Sequence, residues 1–419
     1  MTKLLSLSAV LLLASASFTS AQAGNCERNV KVVAQAHLDE IKSCKNFKGT
    51  IEISQMPEVN LRMAGVEEIT GELIVSGNSA LQSFSAPELK KVDGSLRIEN
   101  HTLLNKLELP QLTEVKTLWM SVLPALQTIQ FPAGLSKANI VRIEDTRAPK
   151  IDGFKPEKLE SFTLTSNKLI KTFDFSSVKE VSGDMLILGN SPDLDFQASQ
   201  LTILNKASFS NMEKLSLPAL NQVRSDLSIQ ENYFTSLNMD SVERIGGTIA
   251  IANNDKLTET SFKNLGQVTG ALSIGNNTQL TAIDGFPKLS EVHGTIDLAG
   301  GFNTYSLPAL QDVRGGMRLQ TTSNQLTCSD IERKLKGEHI VKGNAWSCSA
   351  SMQESNMVPT VGQNPTSSTT SGTTSSRSSS GSGASIGGAD VITSTSSSTK
   401  LIAGQSLLVA VFGAIYATL

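Results

Sequence analysis

Cysteine is scarce in this chain, and its distribution matters more than its number. The 419 residues contain four cysteines. Cys26 and Cys44 lie near the front, Cys328 and Cys348 near the back, and none lies between the two groups. Excess charge of either sign is also missing. Lys plus Arg total 36 against 39 Asp plus Glu, a formal net charge of −3. No long basic run occurs, so the chain lacks the charge that holds a polyphosphate backbone, and nucleic acid is excluded as a partner. Histidine is equally scarce, with four residues. Only His37 and His339 lie close to the cysteine groups, with no zinc-finger spacing. The four thiols are therefore read as disulfides of an oxidising compartment. Four cysteines allow three pairings, and the long separation between the groups favours the local one, Cys26–Cys44 with Cys328–Cys348.

Hydrophobic runs long enough to span a bilayer are absent too. Leu4 to Ala14 is apolar but short of the roughly 20 residues a spanning helix needs. It follows Lys3 and precedes Ala21-Gln22-Ala23, the small-x-small pattern read by signal peptidase, so the mature chain is expected to begin at Gly24. A second apolar run, Leu407 to Leu419, carries no charge. Before it lie a mostly polar spacer from Val391 to Ser406 and the small residues Gly387-Gly388-Ala389. Small residues, polar spacer and apolar tail form the order of a GPI-attachment signal, with Gly388 as the favoured attachment residue. Between Ser349 and Gly388 the chain is dominated by Ser, Thr and Gly and cannot bury enough surface to fold. In a secreted protein it reads as an O-glycosylated stalk. The expected organisation is a signal peptide over 1–23, a folded region over 24–348, a stalk over 349–388 and a GPI propeptide over 389–419. No cofactor is implied.

The folded region is a repeat. From Gly71, apolar Leu73 and Val75 follow at two and four residues, and Asn78 at seven. Gly183, Gly247 and Gly270 open the same frame with Asn190, Asn254 and Asn277. The frame can be placed at Gly49, Gly71, Gly94, Lys116, Asn139, Glu160, Gly183, Asn205, Ser225, Gly247, Gly270, Gly294 and Gly315, in steps of 20 to 24 residues. A fixed period of this size marks a solenoid. The alternating apolar pair is a short strand, and each coil buries its inward residues against its neighbours. Asn78, Asn167, Asn190, Asn232, Asn254 and Asn277 are expected to form a ladder at a corner, because Asn tolerates left-handed backbone and bonds local main chain. Pro-x-Leu-x-x-Val closes many coils, as in Pro87-Leu89-Val92 and Pro287-Leu289-Val292. The expected fold is all-β, a right-handed, leucine-rich-repeat-like β-solenoid of about thirteen coils without the helical side. Its ends are capped by disulfide-closed segments with short helical covers at 37–42 and 331–336.

These repeats resemble the receptor L-domain solenoid of growth-factor receptors. The whole order of signal peptide, Cys pair, coils, Cys pair, Ser/Thr stalk and GPI signal resembles the fungal GPI-anchored cell-wall organisation proteins, the extracellular-mutant and sporulation-specific group. The resemblance implies a role in cell-wall integrity and morphogenesis at the cell surface. It implies attachment to the outer leaflet through a GPI lipid, with cell-wall glucan or mannoprotein as candidate partners, and it supplies no catalytic residues.

Candidate sites come from the outward position between the two core residues of each strand. Coil by coil it reads Glu52, Ile74, Arg97, Trp119, Arg142, Thr163, Leu186, Ser208, Ser228, Ala250, Ser273, Asp297 and Arg318. No two acids fall on adjacent coils, which argues against a polysaccharide-active β-helix enzyme. His101 and His293 stand without a patterned nucleophile. Arg97, Trp119 and Arg142 fall on successive coils and form a candidate glycan-binding patch. The alternative to a structural wall protein is therefore a specific surface receptor or glycan-binding module. Two sequons, Asn100-His101-Thr102 and Asn276-Asn277-Thr278, place their acceptors one residue before the ladder, where side chains are expected to face solvent.

Overall fold

The computed structural model describes residues 26–360. The expected signal peptide, most of the stalk, Gly388 and the GPI propeptide lie outside the described residues. Within them the chain winds as a solenoid whose strand pairings are all parallel. One continuous sheet runs along the front, and short strands such as Asn60–Arg62, Ser83–Ser85 and Lys106–Glu108 pair on the far side.

The front sheet follows the repeat frame strand by strand. Leu73–Ser76 lies between Ile51–Ser54 and the end of Lys91–Glu99, pairing Leu73 with Ile51 and Leu96. The residues at the second and fourth positions point inward. Ile51, Leu73, Leu96 and Leu118 are all fully buried, as are Ile53, Val75, Ile98 and Met120. Each such side chain contributes roughly 1.5–3 kcal/mol through burial. No coil completes this core alone, because its face is covered only by the coils on either side. In the middle of the stack Phe154, Phe162, Phe173, Phe175 and Phe196 pack together, with centroid separations of 4.7 to 6.0 Å. The coils from Lys116 and Asn139, least regular in sequence, keep register with each other on the front, where Leu118 pairs with Val141. The front pairing of Glu114–Leu123 with Lys91–Glu99 shifts between Val115 and Thr117, and on the far side the pairing of Ile129–Leu135 with Ile151–Phe154 shifts between Gln130 and Leu135.

Two recurring residues have local causes. In Pro-x-Leu-x-x-Val the proline is the second residue of a turn, closed by Leu89 N–H donating to the Ala86 carbonyl at 3.3 Å and repeated by Leu289 to Phe286 at 3.2 Å. Proline's fixed φ suits that position. The coil-opening glycines are needed for closeness. A Cβ on Gly270 would stand 2.5 Å from the Gly247 carbonyl carbon, and one on Gly294 would stand 2.6 Å from that of Gly270. Successive coils touch backbone to backbone there, so glycine is selected by contact and not by a left-handed φ.

Both ends are capped as expected. Cys26–Cys44 and Cys328–Cys348 are bonded, with Cα separations of 5.5 and 5.6 Å. Helix α1, Gln35–Glu40, places Leu38 over the first coil, and helix α2, Cys328–Leu335, places Leu335 over the last. Each cap also adds a strand that the repeat did not announce: Val30–Val32 pairs with Ile51–Ile53, and Trp346–Ser349 pairs with Met317–Gln320. Beyond the last cysteine the chain turns back across the front sheet. Val358 N–H donates to Gln320 Oε1 at 3.0 Å, and Arg318 Nη2 donates to the Pro359 carbonyl at 2.9 Å. This strap occupies residues where the stalk is expected to begin.

Candidate functional site

The outward column of the front sheet is the surface on which a site would be built. Its members align as Glu52↔Ile74, Ile74↔Arg97, Arg97↔Trp119, Trp119↔Arg142 and Arg142↔Thr163, and the alignment continues to Asp297↔Arg318. The structure thus brings Arg97, Trp119 and Arg142 together. The Arg97 guanidinium carbon lies 4.6 Å from the centroid of the indole and that of Arg142 4.8 Å. Since the arginines come from the strands on either side, one covers each face of the ring. Cation–π contacts at such sites contribute about 0.5–1 kcal/mol each.

A second row answers their charge. Arg97 donates from Nε and Nη2 to Glu99 Oε2 at 3.2 and 2.8 Å, and Arg142 Nε lies 3.3 Å from Glu144 Oε1. Ser121 sits in register between the two carboxylates. The cluster is a guanidinium–indole–guanidinium stack beside a carboxylate–hydroxyl–carboxylate row, with no net charge. A sugar can stack on the indole only by displacing an arginine. What remains is the ring edge, where Trp119 Nε1 is buried without a hydrogen-bond partner.

Asp297, read as a solitary acid, is bound by its neighbour in the column. Arg318 donates to both its carboxylate oxygens at 2.7 Å. His293 lies 3.1 Å from Glu291. On the flank, Glu67 lies between Lys90 and Lys45, whose hydrogen bonds, with Lys90's the stronger, hold its carboxyl below the usual carboxylate range.

The corner ladder is present, with one correction. Asn78, Asn167, Asn190, Asn232, Asn254 and Asn277 are all buried. Their side-chain oxygens accept the backbone N–H of the preceding coil, as in Met56 to Asn78 at 2.9 Å, Asn232 to Asn254 at 3.0 Å and Asn254 to Asn277 at 3.0 Å. The left-handed backbone, however, belongs to the residue before each of them. Asn100, Val122, Asp145, Ser166, Asn211, Glu231, Asn253 and Asn276 have φ between 51° and 60°. Both sequon acceptors fall in this column. Asn100 is exposed, while Asn276 is half-buried and donates from Nδ2 to Asn253 Oδ1 at 3.0 Å.

Sequence reasoning missed His101, which occupies the ladder place seven residues after Gly94. It is fully buried, and its Nδ1 accepts the Asn78 N–H at 3.2 Å. Burial holds its pKa below the ordinary imidazole range, against backbone hydrogen bonds at Val75, Asn78 and Asn100. The spacing alone would have found it.

With this geometry in place, relatives are informative. Cell wall protein ecm33 of Schizosaccharomyces pombe is 31% identical over 334 residues, covering 79% of this chain and 78% of that one. The chain belongs to the fungal Ecm33 family. Protein ecm33 of Aspergillus fumigatus is 28% identical, covering 81% of this chain and 84% of its own. Sporulation-specific protein 2 of Saccharomyces cerevisiae is 28% identical over 78% of this chain, which spans 66% of that protein's length. No protein-family model and no solved structure matches. Membership of the Ecm33 family places the protein at the fungal cell surface and cell wall, among proteins named for the wall and its GPI anchors.

Proposed function

We propose that this protein is a non-enzymatic, GPI-anchored glycoprotein that supports the organisation of the fungal cell wall by presenting a stiff solenoid at the surface. The observation that carries the reading is the outward column. Its strongest charges are bound to one another between and along the coils: Arg97 and Arg142 to Trp119, Glu99 and Glu144, and Arg318 to Asp297. Such a face stiffens a rod. At roughly 4.8 Å per strand, thirteen coils extend about 60 Å. The names of relatives and the order of residues from Gly387 to Leu419 support the lipid tether. The test is fractionation of cells expressing the protein. Release by phosphatidylinositol-specific phospholipase C, or by glucanase once the chain has moved to wall glucan, is expected. Recovery of the peptide Leu407–Leu419 from the mature protein would refute the anchor.

A second reading, glycan binding at Arg97, Trp119 and Arg142, is favoured by the unpartnered Trp119 Nε1–H. It requires neighbouring side chains to move aside, because that N–H is buried. Retention of the protein on a glucan or mannan column that Trp119→Phe abolishes supports it, and unchanged retention removes it.

A further inference from the structure

The strap does more than lie on the sheet. Between it and the sheet is a cavity of about 260 Å³ whose lining includes the sequon residues Asn276 and Thr278. Asn253 and Thr322 contribute polar groups from the solenoid, and Glu354 a carboxylate from the strap. Met357, Val358 and Pro359 supply an apolar wall on the strap side, and Gly300 and Gly301 leave the floor free of side chains. A cavity with amides and hydroxyls on the solenoid side, and aliphatic carbon with one carboxylate on the strap side, suits a pyranose, whose hydroxyls lie at its rim and whose C–H groups form a face.

We propose that Asn276 carries an N-linked glycan whose first N-acetylglucosamine occupies this cavity, held between the front sheet and the strap. The inference rests on the reading of the chain as a secreted glycoprotein. In the transfer step the Asn276 amide nitrogen bonds to the anomeric carbon of a lipid-diphosphate-linked oligosaccharide. The diphosphate departs with the electron pair, and the amide gives up one of its two protons. The remaining N–H is sufficient for the existing bond to Asn253 Oδ1, so modification leaves the corner intact. Transfer precedes closure of the fold. In the folded chain Thr278 Oγ1 is bonded to the Asp255 carbonyl, and the strap stands over the acceptor. Asn100 is the internal contrast: it has the same place in the coil and the same left-handed φ, but it is exposed.

The experiment uses the full chain expressed in a fungal secretory host. Site occupancy is mapped at both sequons, a core-cleaving endoglycosidase is applied before and after denaturation, and hydrogen exchange is followed over Met357–Pro359. Both sites are expected to be occupied, with native release at Asn276 slower than at Asn100 by about tenfold or more, since the site must open first. Asn276→Gln is expected to raise strap exchange, while Asn100→Gln leaves it unchanged. An occupied Asn100 with a bare Asn276, equal native release at the two sites, or a strap indifferent to Asn276→Gln each overturns the inference alone. Two bare sequons overturn it together with the glycoprotein reading.

Discussion

The front sheet solves one problem differently at its two ends. Over the coils from Gly94 to Asn139 the outward positions hold Arg97, Trp119, Arg142, Glu99 and Glu144, large side chains that cover the backbone by stacking on one another. Over the coils from Gly247 to Gly294 the same positions hold Ala250, Ala252, Ser273, Gly275, Asp297 and Ala299, all small but Asp297, whose carboxylate is held by Arg318. Backbone register is the same in both regions. The difference lies in side-chain volume, and it decides whether another piece of chain can approach. Near the last coils, Glu354 to Pro359 do so, anchored on Gln320 and Arg318. Within one repeat, small outward residues create a seat and large ones remove it.

The most severe way to break this contrast is at the caps. The two disulfides close nearly equal loops, with separations of 18 and 20 residues, so the chain-entropy contribution of each is nearly the same. Cys26→Ser and Cys328→Ser should each cost about 2–5 kcal/mol in urea unfolding. They should differ in where the loss is felt. Cys328→Ser frees α2 and the strand Trp346–Ser349 that leads into the strap, so amide exchange from Met352 to Pro359 should rise. If Cys26→Ser loosens that segment equally, the strap is not a property of its own end.

The ladder comes next. Asn254 accepts from the Asn232 backbone and side chain and donates to the Ile229 and Ala252 carbonyls and to Asn277 Oδ1. Asn254→Leu strands several buried groups and should cost about 2–4 kcal/mol. A midpoint unchanged in urea would show that the ladder merely fills space. Smaller effects separate the two faces. Trp119→Ala should lose about 1–2 kcal/mol through its stacked contacts while leaving strap exchange untouched. Gln320→Ala removes the partner of Val358 and should cost under about 1 kcal/mol while selectively increasing proteolysis after residue 350. The contrast fails if each variant disturbs the other's region.

Much of this was legible because strand side chains alternate and the period barely drifts. From Glu52 to Arg318 every member of the outward column falls where the frame places it. The left-handed corner was misplaced by one residue because its column is chemically mixed. Gln55, Val122 and Glu231 adopt it beside Asn100 and Asn253. Neighbouring coils impose the conformation there, overriding a residue preference that would otherwise have marked it. The strap was invisible for the opposite reason. Residues 349–360 have no period, and their composition runs on into the Ser/Thr-rich sequence after them, so nothing local marks them as bonded to the sheet.

His101 gives the finest test, because it is the one titrating member of the ladder. A coil in the N-terminal half uses an imidazole where the C-terminal coils use amides, and the two acceptors respond differently to acid. Nδ1 accepts the Asn78 N–H only while it is unprotonated. In the folded chain burial lowers the pKa, whereas in the unfolded chain it is about 6.5. As pH falls below about 6.5, the unfolded state binds the proton first, and stability declines toward the lowered folded value. Above that window the contribution is fully present. His101→Asn supplies an amide that does not titrate, and it leaves the sequon at Asn100 intact, since the middle place of a sequon excludes only proline. The wild-type melting temperature should therefore fall between pH 6.5 and 5 by more than that of His101→Asn, and the two should run in parallel above pH 7. The contrast to include is Asn277→His, which moves the imidazole to the other half of the ladder and should introduce the same acid sensitivity there. Identical melting profiles for wild type and His101→Asn across the acid range would show that the imidazole binds its proton equally well in the folded and unfolded chains, and that the two halves differ in composition alone.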